Sequence, residues 1–396
     1  QDAVLSRHSA SAHSAKVSNR SDMIRYKRGG RYHLLNLFRT RGSAFLPAIS
    51  IGVPCGVLAA ALKHWELIDT DSVLLNNTSW SGFTFLVGFL VILRTSEATK
   101  RFWEGATATH RMCAEWLDAA SALIAFCKAS TASDETVMEF KHVLVRLFSL
   151  LHSMAYAEIE DAEGEDEISW DRLASFDLEL IDAAGIDARS LRALKAVSHR
   201  AELVHQWIQQ LMVTNIATGV LAVPAPILTR AFQELAAGMV AYHDAHKVSV
   251  IPFPFPYAQA CDMLLLIHWC ITPVITAQWT ASPVWAGIFT FIQVYILWVL
   301  NITAVALENP FGNDENDLDS KVMQNSFNTQ LLLLLDPSTE ITPHLSTEAL
   351  KGKKLTETVV ARKSLASIRC SKRSSCGNRV VNTPTLSHGF TFREAV

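Results

Sequence analysis

Between Val248 and Leu307 the chain carries one carboxylate, Asp262, and one histidine, His268, and almost nothing else that could hold charge. That run is far longer than the roughly 20 residues that cross a bilayer core of about 30 Å. Peptide groups in such a core must be satisfied within the protein, which leaves helices or a closed barrel. The middle of the run, TAQWTASP from Thr276 to Pro283, reads as a turn. Two membrane helices in a hairpin, about 257–279 and 284–307, are expected.

Two more apolar runs precede it. Gly42 to Leu62 carries no charge and ends at Lys63. Its Pro54 is tolerable where a neighbouring helix packs. Thr78 to Leu93 is shorter and ends at Arg94. Spans are placed at about 43–62 and 78–100. Beyond Arg94, the residues Glu97 and Arg101 recur at helical spacing, so their charges are expected to pair along one face of a helix that runs on past the membrane. The composition agrees, with 49% hydrophobic residues and a mean hydropathy of +0.19.

Four spans put both termini on one side. Bases cluster before the first span and after the second, at Lys100, Arg101 and Arg111. The loop 63–79 has one lysine and three acids, and the loop 276–283 has no charge. The positive-inside rule therefore places the termini and the middle of the chain in the cytosol or its organellar equivalent. That middle, 101–250, has helical periodicity over 103–128, 134–160 and 190–212, broken by acidic loops such as Glu158 to Glu167. It reads as a soluble helical domain.

The ends differ from the rest. Residues 1–24 are Ser-rich and basic, and fit a disordered tail or the remnant of a transit peptide equally. The first residue is Gln rather than Met, so the true start is expected to be missing or processed. YKRGGRYHLLNLF, from Tyr26, suits an interfacial helix. From 337 to 396 the chain reads as a disordered basic tail. The cysteines Cys55, Cys113, Cys127, Cys261, Cys270, Cys370 and Cys376 form no C-x-x-C pair and are expected to be reduced.

Three features invite a functional reading. In WSGFTFLVGFLVILR, Ser81, Phe85 and Phe89 recur every four residues on one helical face. They are either packed core or the lining of a pore, where rings of Phe from several subunits gate by dewetting. NPFGNDENDLD, from Asn309, offers closely spaced oxygens that suit calcium. It lacks the EF-hand pattern, and a helix-ending turn built on Pro310 and Gly312 accounts for the spacing as well or better. Asp262, the lone intramembrane carboxylate, takes an ion-path role by default. HDAH, from His243 to His246, with His199 and His205, matches no zinc spacing and reads as ordinary helix positions. No phosphate loop, nucleophile elbow or dinucleotide fingerprint appears, and nothing indicates nucleic acid.

The arrangement of these pieces resembles the bestrophin family. RTSEATKRFWEG from Arg94, ENPFGNDENDLD from Glu308 and FRTRGSAF from Phe38 are similar to three family signatures, in the family's order and spacing. FQEL from Phe232 and IPFPFPYAQ from Ile251 match more weakly. The likeness covers about residues 25–330, within a channel domain placed at 25–336, and is to the bacterial and plant or algal branch. It implies an all-α membrane protein with four transmembrane helices per subunit, a cytosolic helical domain and a homopentameric assembly. It implies an anion channel rather than an enzyme, passing chloride or bicarbonate with no required cofactor. The neck rings fall on Ser81, Phe85 and Phe89, with Ser81 where many members are apolar. A second aperture falls on Pro226 or Ile227. The calcium clasp of animal members maps onto Asn309, Asp314 and Asp317, but Ala306 replaces one further ligand. Relatives in thylakoids suggest that address, with the plasma membrane as the alternative. The rival readings are a secondary transporter, a non-conducting scaffold that binds the bilayer and recruits partners, and a membrane metalloenzyme using its histidines.

Overall fold

The computed structural model describes residues 39–67, 77–161, 178–312 and 314–347. The basic N-terminal segment, the helix expected from Tyr26, most of the loop 63–79, the acidic loop beyond Asp161 and the tail from residue 348 lie outside them. Among the described residues, those up to Thr339 belong to one compact unit and those from Glu340 to a second.

Every regular element among the described residues is helical. The nine α-helices are α1 (Phe45–His64), α2 (Asn77–Phe126), α3 (Asp134–Asp161), α4 (Ala188–Lys195), α5 (Arg200–Ala217), α6 (Ala225–Val250), α7 (Phe255–Trp279), α8 (Pro283–Glu308) and α9 (Ser320–Leu333). Four of them, α1, α2, α7 and α8, are long and apolar enough to cross a membrane. The bounds of α1, α7 and α8, and the start of α2, lie within a few residues of the runs read from the sequence. Prolines open several helices, where a missing N–H costs nothing. Pro226, Pro256 and Pro283 sit at such positions. Pro54 and Pro273 lie inside α1 and α7, and both helices continue through them.

Two expectations change. The second span and the helix expected over 103–128 are one 50-residue rod, α2. At about 1.5 Å per residue it is about 75 Å long, so it joins the membrane to the soluble part without a hinge. The helix expected over 190–212 is two, α4 and α5, separated at residues 196–199.

The large apolar core lies outside the membrane. Trp116 of α2, Phe148 and Leu151 of α3, Ile208 of α5, Leu235 of α6 and Phe327 of α9 all belong to it. Helix α3 runs through its centre, which is why nearly every residue of its second half is buried. The membrane helices share only a small cluster of Val87, Val91, Leu265 and Leu297. There, contact comes from small residues instead. A Cβ on Gly56 of α1 would lie 2.9 Å from the Gly287 carbonyl of α8, and one on Gly287 would lie 2.9 Å from that of Gly56. Backbone meets backbone at that crossing.

A buried polar network docks α9 on α3. His152 Nδ1 lies 2.6 Å from Gln324 Oε1, Ser149 donates to Asn328 at 2.7 Å, and Gln324 and Asn328 both donate to the Glu179 carbonyl. The His152 ring stacks on Phe327 at 4.3 Å. Burial pulls its imidazole down to about 4, against an ordinary 6.5.

Candidate functional site

Helix α2 has two unlike faces. Val87, Val91, Arg94 and Ala98 are buried on one side, against α7 and α8. On the other side Phe85 is 70% exposed and Phe89 50%. Their rings lie 6.4 Å apart and nearly parallel. Ser81, one turn earlier, is exposed on the same face. Core packing within this chain is therefore not what the two Phe rings do. The N-terminal end of α2 is held by a stack of Trp80 on His268, at 5.4 Å, with Phe83 beside it at 6.5 Å from the same imidazole.

The other end of the span is held by charge. Arg94 is only 4% exposed. Its Nη1 donates to Asp262 Oδ1 and to Asn301 Oδ1, each at 2.8 Å, and its Nη2 to Glu308 Oε2 at 3.4 Å. Asn301 also donates to Asp262, at 3.3 Å, and the Phe253 ring centre lies 5.8 Å from the guanidinium. About two turns on, Arg101 donates to the carbonyls of Glu308, Val248 and Ile251 at 2.8–3.1 Å. The expected pairing of Arg94, Glu97 and Arg101 along one face is thus replaced. Both arginines reach across to acceptors on other elements, among them the buried Asn301 and Val248, which need donors more than a solvated neighbour does. Glu97 pairs with Lys100 instead, at 2.6 Å. Asp262 is a partner of Arg94 at the membrane boundary.

Pro226 and Ile227 sit in the first turn of α6, both exposed. Close by in sequence on α6, Arg230 pairs with Asp118 at 3.2 Å and with Glu234 at 3.5 Å, and Arg111 with Glu115 at 3.5 Å. A hydrogen bond with Glu115 holds the Glu234 carboxyl above the usual carboxylate range. Of these ion pairs only Arg230–Asp118 joins two helices, and that pairing is not visible in the local sequence.

The acidic turn after α8 is tightly built. Asp317 is buried, and its Oδ2 accepts from the Asp314 N–H at 2.5 Å. The Asn309 side chain accepts from the Phe311 N–H at 3.1 Å. Leu318 N–H closes the loop on the Pro310 carbonyl at 2.9 Å. Arg41 donates to Glu315 at 2.5 Å, and Asn316 to the Gly42 carbonyl at 3.2 Å, which braces the approach to α1. Asp319 caps α9 through the Val322 N–H. Asn309, Asp314 and Asp317 are thus brought together, yet the side chains of Asn309 and Asp317 already serve the backbone. Among the described residues no three His, Cys, Asp or Glu side chains are arranged to hold a metal ion.

A polytopic helical membrane protein, with a charged clamp and an aromatic stripe on its second span, is the class these features define. Residues 23–332 match the family described as Bacterial/Fungal Bestrophin protein, and the chain belongs to that family. Solved structures agree in fold. A crystal structure of a point mutant of the bestrophin homologue of Klebsiella pneumoniae is 15% identical. It covers 74% of this chain and 99% of its own, at a TM-score of 0.59. A second structure of that homologue gives 14%, 75%, 99% and 0.57. A mutant described only as a membrane protein gives 14%, 74%, 99% and 0.57. No curated protein matches the chain in sequence. Membership supports an anion channel at the level of the family.

The clamp makes a testable prediction. Replacing Arg94 by Met strands the buried Asn301 and the carboxylates that faced it. A loss of about 3–5 kcal/mol is expected, as when one partner of a buried pair is removed. Asp262→Asn should cost far less, because that carboxylate is 58% exposed and Arg94 keeps two other acceptors. Thermal unfolding in detergent measures both. Equal losses from the two variants would contradict this reading of the clamp.

Proposed function

We propose that the chain forms a passive, homopentameric anion channel for chloride or bicarbonate, with its neck lined by Ser81, Phe85 and Phe89. The observation that carries this is the exposed pair of Phe rings on the face of α2 opposite its packed side. Around a fivefold axis such a stripe becomes successive rings. Phenyl edges carry partial positive charge, so rings turned edge-on favour an anion that has shed part of its water. An apolar constriction of this kind also gates by dewetting. Ser81 brings a hydroxyl to the outermost ring, which wets and widens it.

Pro226 and Ile227 form the inner aperture in this reading, and the mixed charges from Arg111 to Glu234 line its approach. The chain conducts and performs no bond chemistry. Its address is a thylakoid or plasma membrane. A secondary transporter would use helices broken at midplane, whereas α1 and α7 run unbroken through Pro54 and Pro273.

Purified protein in liposomes tests the neck. Phe85→Ala and Phe89→Ala are each expected to raise basal chloride flux about tenfold or to level the preference among anions, since each removes a dewetted ring. Unchanged flux and selectivity in both variants would refute the neck assignment.

The acidic turn is a brace in this reading, with calcium at most an accessory ligand of Asn309, Asp314 and Asp317. Flux is therefore expected to be the same in calcium and in excess chelator. Channels that close on chelation and reopen on calcium would make the turn a calcium switch instead.

A further inference from the structure

The exposed face of α2 does not end with the Phe rings. No proline interrupts the helix, and it runs unbroken from Asn77 to Phe126. With Phe89 as the reference direction, each further residue turns by about 100°. Val87, Val91, Arg94, Ala98, Met112 and Trp116 then all point within about 40° of the opposite side, and all six are buried. The buried face thus keeps one direction from the membrane into the soluble core, and the helical phase does not drift along the rod.

The other face keeps its direction too. Ser96, Lys100, Thr107, Ala114 and Asp118 fall within about 20° of Phe89, and every one of them is exposed. The aromatic stripe therefore continues as one line, whose chemistry changes on the way. It carries a hydroxyl at Ser96 and its first charge at Lys100, about 16 Å past Phe89 at about 1.5 Å per residue. The next charge on the line is Asp118, about 27 Å further, and that carboxylate is met by Arg230 of α6 at 3.2 Å.

Charge beside this line is balanced in number but sorted by angle. Lys100 pairs with Glu97 at 2.6 Å, and Arg111 with Glu115 at 3.5 Å. Glu97 and Glu115 each stand about 80° off the line, against about 20° for Lys100 and about 40° for Arg111. In both pairs the cation is the member nearer the line. Exposure sorts them the same way: 67% for Lys100 against 51% for Glu97, and 56% for Arg111 against 25% for Glu115. Glu104, about 60° off the line, is answered by Lys247 of α6 at 3.2 Å.

Around a fivefold axis these angles become distances. A side chain on the line reaches toward the axis, and one about 80° away reaches sideways along the ring. Five neutral pairs then form a ring with its positive ends inward. Exposed pairs hold their members loosely, so the ammonium stays available to a passing ion. An anion that has shed water among the Phe rings meets these groups first, and a cation meets them as a barrier. Charge of one sign on low-dielectric walls raises the local concentration of its counter-ion.

We infer that Lys100 is a specificity-determining residue of the conduction path, a cationic ring just past the neck that favours anions over cations, with Glu97 turned aside as its counter-ion. This role rests on the channel reading above and is separate from that of the Phe rings.

Planar bilayers holding the purified full chain under a potassium chloride gradient test it, because the reversal potential gives the preference for chloride over potassium. At about 0.1 M salt charges are felt over about 10 Å. There Lys100→Gln is expected to lower the preference about threefold or more, and Lys100→Glu about tenfold or more. Lys100→Arg keeps the charge and should keep the preference. Glu97→Gln frees the ammonium and should keep or raise it. At about 1 M the differences should shrink, since screening then acts within about 3 Å. Should Lys100→Glu not assemble, the comparison of Lys100→Gln with Lys100→Arg decides. An unchanged preference in the neutral and acidic variants would overturn the inference. So would an equal loss in Glu97→Gln, which would make the pair a structural unit. Absence of anion current in the unaltered protein would refute the channel reading and this role with it. Anion current indifferent to Lys100 substitution would overturn the charge ring alone.

Discussion

One buried guanidinium sets the geometry of the membrane part. Arg94 cannot be left unpaired in a low-dielectric boundary, and its acceptors come from α7 and α8: Asp262, Asn301 and Glu308. Satisfying all three fixes how α2 is rotated about its own axis. Nine residues separate Arg94 from Phe85, and at about 100° per residue they stand on opposite sides of the helix. Turning Arg94 inward therefore turns Phe85 outward, with Ser81 and Phe89 within one turn of it. The aromatic stripe is exposed because the arginine is not.

The same constraint reaches the soluble part. Because α2 is one unbroken rod, its rotation at Arg94 is also its rotation at Trp116, in the centre of the large core. Gly238 of α6 lets the Trp116 ring lie directly against backbone, and the indole N–H donates to the Leu235 carbonyl at 3.3 Å. Arg101 ties the same rod to the end of α8 and to the junction of α6 with α7. The acidic turn adds a brace from α8 to the approach of α1. The membrane helices share little apolar core of their own, so these polar ties and the Gly56–Gly287 crossing hold them in register.

The spans could be read from the sequence because absence of charge is a local property, visible in any window. Their number, order and rough limits follow from it. The partners of Arg94 could not be read that way. Asp262 lies 168 positions away and Asn301 207, and spacing along one helix suggested Glu97 and Arg101 instead. A signal was present, since a lone carboxylate in a long apolar run needs a cation, and Arg94 closes the second apolar run. The face of Ser81, Phe85 and Phe89 was legible as a stripe, but its exposure was not, because periodicity gives a face without saying what it meets. The three-way meeting of Asn309, Asp314 and Asp317 was legible, being local. Their use as backbone acceptors was hidden, since a carboxylate serves a turn or an ion with the same atoms.

The central claim is that the outward face of α2 meets an aqueous anion path rather than lipid. Modification of Phe85→Cys, with Cys270 replaced by Ser, tests it most directly in liposomes that hold chloride. A charged, water-soluble thiol reagent should label position 85 and cut chloride flux, and chloride in excess should slow the labelling. Labelling only by lipid-soluble reagents, with flux unaffected, would put that face in the bilayer and contradict the account.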